Sequence, residues 1–128
     1  MMTLYLNPRT RRFSQTRAAG VYIPVDVSAN GEEYVLRAYL PGLKADDVQI
    51  EVLENTVTIH GEFANQILDE NEQMMLRELP SGAFERTLRL PTDLDAERAQ
   101  AEMQDGVLTL RVAKAEHAKS KKINILAK

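Results

Sequence analysis

Cysteine and tryptophan are both absent from the 128 residues. Without cysteine there is no disulfide framework, no thiolate nucleophile and no thiolate metal site, a usage that suits a reducing cytosol. Histidine is scarce, with only His60 and His117 to serve as imidazole acid–base groups. His60-Gly61-Glu62 has the H-x-E spacing of zinc deaminases, but the cysteines that would complete such a metal site are missing. The glycines at 20, 31, 42, 61, 82 and 106 stand far apart and form no phosphate-cradling loop. Carboxylate pairs such as Glu32-Glu33 and Asp46-Asp47 fall in turn regions, where solvation explains them. No apolar run approaches the roughly 20 residues of a membrane helix. The arginine-rich start also lacks the apolar segment of a secretory signal. These absences predict a soluble cytoplasmic protein that is not an enzyme, uses no cofactor or metal, and engages no membrane.

Charge is unevenly distributed. Residues 1–20 carry Arg9, Arg11, Arg12 and Arg17 and no acid, while residues 114–128 carry five lysines against Glu116. Subtracting these contributions of +4 and +4 from the net charge of −3 leaves −11 on residues 21–113. An acidic body with two basic arms argues against nucleic acid as the body's partner. The arms either lie on that body, or on a neighbour's, or remain solvated ends.

What is present in quantity is period-two alternation. Tyr34, Leu36, Ala38 and Leu40 share one face. Val48, Ile50 and Val52 alternate with Gln49 and Glu51, and Val57 and Ile59 with Thr58 and His60. Asn30-Gly31, Pro41-Gly42 and Asp105-Gly106 punctuate the runs, which predicts an all-β antiparallel sandwich in one domain. Asp105-Gly106 also predicts a tight turn, with Gly106 free to adopt positive φ, before a strand that buries Leu108, Leu110 and Val112.

That turn lies in Ala101-Glu102-Met103-Gln104-Asp105-Gly106-Val107-Leu108, which resembles the A-x-x-x-N-G-V-L signature of the small heat-shock proteins, the α-crystallin domain family. Phe84-Glu85-Arg86-Thr87-Leu88-Arg89-Leu90-Pro91 is similar to the family's F-x-R-x-[FL]-x-L-P strand, and Ile123-Asn124-Ile125 to its terminal I-x-I. Pro24-Val25-Asp26-Val27, Ala38-Tyr39-Leu40-Pro41-Gly42 and Asp47-Val48-Gln49-Ile50-Glu51-Val52 match its P-x-x-D-[VI], A-x-L-P-G and D-V-x-I-x-V elements. The six pieces occur in the family's order over about residues 22–126. The resemblance implies an immunoglobulin-like sandwich over residues 21–113, a short basic arm at 1–20 and an extension at 114–128. It also makes Asp95 to Met103, whose composition suits a helix, an edge strand.

Four elements carry the functional expectations. Residues 62–82 form a connection longer than the roughly 12–15 residues beyond which a structureless loop is uncommon, with Met74, Met75 and Leu76 set among glutamates. Either it is a mobile loop folded onto its own core, or, as the resemblance to bacterial and plant members implies, it exchanges with a second protomer to make a dimer. Arg86 shares strand parity with Phe84, Leu88 and Leu90. A guanidinium on an inner face needs hydrogen-bonding partners, so the resemblance and the parity together predict a core or interface ion pair, the alternative being extension to solvent along an edge. In the extension, Ala118 to Lys122 reads as a flexible basic linker before Ile123 and Ile125, two knobs on one side of an extended segment. The resemblance implies that they clip into a neighbour's groove between the strand of Val48, Ile50 and Val52 and the strand of Ala99, Ala101 and Met103. The alternative is a last strand within the same domain. The arm is short for the family, and its Leu4, Tyr5, Leu6 and Phe13 are the expected client contacts.

The function so implied is an ATP-independent holdase, a homodimer and higher oligomer that shelters unfolding proteins under stress. The rival from another class is an adaptor-like β-sandwich that binds one folded partner with the same edge.

Overall fold

The alternation of the sequence is realised as two antiparallel sheets. The computed structural model describes residues 21–119 and 123–128. Strands β1 (Val25–Ala29), β2 (Glu33–Tyr39), β6 (Leu94–Gln104) and β7 (Val107–Lys114) form one sheet in the order β1-β2-β7-β6. The other is β3-β4-β5, from Val48–Leu53, Thr56–Phe63 and Gly82–Arg89. The side chains that alternate inward meet between them. Leu36, Leu40, Val57, Ile59, Leu110 and Val112 are fully enclosed, each worth on the order of 1.5–3 kcal/mol of transfer free energy.

The turns set the register. Asp105 and Gly106 have φ of 54° and 77°, the positive pair of a two-residue hairpin turn whose twist matches its strands. Gly106 also receives the Leu40 N–H at 2.6 Å, and a Cβ there would stand 3.2 Å from Pro41 Cα. The β1–β2 turn is built by Asn30, whose Oδ1 accepts the N–H groups of Glu32 and Glu33 at 2.7 and 2.9 Å. A further turn, which no glycine marks, joins β3 to β4: Glu54 takes φ of 54°, and the Asn55 side chain donates to the Leu90 carbonyl at 3.1 Å.

Two boundaries differ from the sequence reading. Strand β4 runs through Gly61 and Glu62 to Phe63, and β5 begins at Gly82, so the connection spans residues 64–81. Phe63 is a core residue, its ring 5.0 Å from that of Phe84. Gly61 is therefore a mid-strand glycine and not the last residue before the connection. A Cβ on it would lie 2.5 Å from the Asp47 carbonyl oxygen and 2.7 Å from the Phe84 ring. Asp95 to Met103 is a strand, as the resemblance implied and its composition did not, with a register shift between Asp95 and Ala99.

Candidate functional site

The outer strands of the two sheets, β3 and β6, flank an open groove of about 290 Å³ lined by Ile50, Val52, Ala96, Ala99, Ala101 and Leu110. Small alanines on β6 leave the space, and branched residues on β3 make its wall. Four of the six residues expected here, Ile50, Val52, Ala99 and Ala101, line it. Val48 and Met103 are half-buried and pack against the core. The sequence reading missed Ala96 because the bulge between Asp95 and Ala99 changes strand parity, bringing residues three apart to the same groove.

The connection between β4 and β5 carries its apolar residues outward. Met75 and Leu76 are 82% and 73% exposed, and Met74, Ile67 and Leu79 are exposed as well, so the loop is not folded onto its own core. No strand forms around Met74 within the single chain. Glu72 closes the turn at the loop's acidic tip by accepting the Asp69 N–H at 2.9 Å.

Arg86 is half-buried on the inner side of β5, as its parity predicts. Its partners are not carboxylates. Nη1 donates to the Ile23 carbonyl at 2.6 Å, and the guanidinium sits 5.2 Å from the centre of the Tyr22 ring. Among the described residues this replaces the expected ion pair with a carbonyl and a cation–π contact. Arg86 thereby fastens Tyr22-Ile23 beside β5, whose edge is also met by the Val21 N–H bonded to Ala83 O at 3.3 Å.

Ile123 and Ile125 project into solvent, 84% and 93% exposed, and form no strand with their own domain. The start of the supposed linker, however, is folded. Glu116–Ala118 make a turn of 3-10 helix, and the N–H groups of Ala118 and Lys119 bond to the carbonyls of Ala115 and Glu116 at 2.9 and 3.2 Å. Lys119 Nζ lies 2.9 Å from Glu32 Oε2 and 3.3 Å from Glu116 Oε1. Arg98, carried outward by the bulge, bonds Asp95 at 2.9 Å and lies 3.6 Å from Glu116. Hydrogen bonding to Lys119 holds the Glu32 carboxyl below its ordinary pKa and Glu32 holds the ammonium above its own. Arg98 likewise lowers the Asp95 carboxyl through a hydrogen bond. His117 Nε2 stands 3.0 Å from Asp93 Oδ2, and His60 Nε2 3.3 Å from Glu51 Oε2. Both imidazoles thus sit against single surface carboxylates. The arm residues Leu4, Tyr5, Leu6 and Phe13 lie outside the described residues.

With sheets, groove and tail in place, comparison with known proteins is decisive. The profile of the Hsp20/alpha crystallin family matches residues 26–126. This chain belongs to that family. Among curated relatives of this small heat-shock protein, the 18 kDa antigen of Mycobacterium leprae (strain TN) is 40% identical over 86% of this chain and 73% of its own. The 18 kDa heat shock protein of Streptomyces albus G is 34% identical over 80% of this chain and 72% of its own. Of solved structures, heat shock protein 16.0 of Schizosaccharomyces pombe superposes with a TM-score of 0.68 at 29% identity, covering 84% of this chain and 99% of that one. A small heat-shock protein of Xylella fastidiosa, reported to have a distinct high order structure, gives a TM-score of 0.67 at 26% identity over 85% of this chain and all of that one. Membership supports a chaperone role for this small heat-shock protein, on an α-crystallin sandwich. No helix among its described residues is long and apolar enough to cross a membrane.

Proposed function

We propose that this small heat-shock protein is an ATP-independent holdase that assembles through its tail and its loop. The carrying observation is an apolar strip without a seat in its own domain, Ile123 and Ile125, in a chain whose groove between β3 and β6 is open. Two apolar knobs separated by one polar residue suit the addition of an extended segment to a sheet edge. Burial of each isoleucine contributes on the order of 1.5–3 kcal/mol before ordering costs, which makes a reversible clip between dimers.

The dimer itself we assign to the connection at 64–81. Of the four outer strands, β3 and β6 flank the groove and β5 is partly covered by Val21, so β1 is the edge left for a partner's Met74 to Leu76 segment. Val27, exposed on that edge, offers it an apolar contact. An adaptor for one folded partner needs neither this loop nor the tail strip. Client protection is then competitive burial: an apolar patch on an unfolding protein is sheltered by the arm or groove instead of by another unfolding chain.

The arm supplies the test of where clients bind. Leu4, Tyr5, Leu6 and Phe13 stand among four arginines, a composition suited to loose contact with many partners. Removal of residues 1–18 is expected to weaken suppression of client aggregation severalfold while shifting the melting temperature little, independently of ATP. Aggregation curves and melts of the two proteins decide it. Equal protection at equal molar ratio would move client binding to the groove.

A further inference from the structure

The folded start of the extension has a consequence for the tail. Lys119 is only 15% exposed although it is a lysine on the surface of a small domain. Its ammonium bridges Glu32, on the β1–β2 turn, and Glu116, in the extension itself. Glu116 is in turn reached by Arg98 from the β6 bulge, and Arg98 also donates to the Lys114 carbonyl at 3.3 Å. Three segments distant in sequence are thus joined by one chain of alternating charge: Glu32, Lys119, Glu116, Arg98, Asp95. The bulge is what makes the joint possible, since it re-aims Arg98 away from the strand ladder at the strand that also walls the groove.

From this geometry we infer that Lys119, held by Glu32 and Glu116, is a positioning residue: an ionic latch that sets the point from which the Ile123–Ile125 strip departs toward a neighbouring groove. The inference rests on the proposed role of that strip. Covalent geometry gives its size. With the root pinned at Lys119, Ile123 lies four residues on and reaches at most about 14 Å. With the latch open, the last main-chain anchor to the body is Ala115, whose N–H bonds the Asp93 carbonyl at 2.9 Å, and once the exposed His117–Asp93 contact opens with the latch the reach doubles to about 28 Å. The effective concentration of a tethered segment falls roughly as the −3/2 power of tether length, so opening the latch dilutes the strip about threefold at a groove within the shorter reach. Exposed ion pairs are screened by salt, so the latch also links assembly to ionic strength.

The test uses the full chain with Lys119→Glu, Glu32→Lys and the double swap. Amide hydrogen exchange at Ala118 and Lys119 reads the latch directly, and a dilution series by sedimentation velocity, at low and high salt, reads assembly. Each single variant is expected to speed exchange at those two amides, raise the assembly midpoint about threefold and flatten its salt dependence. The swap restores opposite charges across positions 32 and 119 but sets like charges at 116 and 119, so it is expected to recover all three in part. The singles change net charge in opposite directions, so a bulk charge effect would move them apart instead of together. Unchanged exchange in Lys119→Glu overturns the latch, and faster exchange with an unmoved midpoint overturns its positioning role. Ile123→Ser/Ile125→Ser in the same series separates the two claims. If it disrupts assembly while Lys119→Glu does not, the latch is wrong and the tail reading stands; if it too assembles like the unaltered chain, the tail reading is wrong.

Discussion

Replacing Ile123 and Ile125 together by serine is expected to reduce the assembly to dimers while leaving the β-sheet circular dichroism unchanged. Both side chains are almost fully exposed in the single domain, so their loss removes nothing from the core of Leu36, Ile59, Leu110 and Val112. If the tail clips into a neighbouring groove as proposed, the same change removes two buried branched side chains per tail, about 3–6 kcal/mol of gross burial, of which only a fraction survives as net affinity after ordering costs. Size-exclusion chromatography with multi-angle light scattering measures the mass directly. An unchanged mass for the double variant would reject the clip.

The loop carries the second large effect. Deleting residues 66–76 and bridging the gap with a short Gly-Ser segment is expected to yield folded monomers at micromolar concentration. Met75 and Leu76 contribute nothing to the domain's own core, and Phe63 and Phe84, which do, lie outside the deletion on β4 and β5. The sandwich should therefore keep its melting temperature to within a few degrees while its mass falls to that of a single chain. A variant that remains dimeric would assign pairing to an edge other than the one this loop supplies.

Much of this fold is legible in the sequence, because it rests on signals that burial enforces. Tyr34, Leu36, Ala38 and Leu40 alternate and are all buried. Asp105-Gly106 forms the turn its composition demands. The groove was legible in large part too, since Ile50, Val52, Ala99 and Ala101 follow from strand parity once β6 is taken as a strand. What escaped had no local signal. Gly61 looked like the end of a strand, yet it is a place where the Phe84 ring and the Asp47 carbonyl approach too closely for a side chain. Its misreading hid Phe63 from the core. The bulge that swings Ala96 into the groove and Arg98 toward Glu116 lies in an unremarkable run of Ala, Glu and Arg. Lys119 reads as part of a mobile linker until its contact with Glu32 is seen, and that contact depends on a fold that brings opposite ends of the domain together. Arg86 was placed correctly by parity, but its partners, a main-chain carbonyl and the Tyr22 ring, come from a segment with no acidic signal to announce them.

The central claim, that this small heat-shock protein shelters unfolding chains without an energy source, is tested most directly by light scattering. A heat- or reductant-aggregated model substrate is followed with and without the full-length protein, in the absence of ATP. Suppression that grows with molar ratio and is unchanged when ATP is added is the expected result. Undiminished scattering at a several-fold excess of the protein would contradict it.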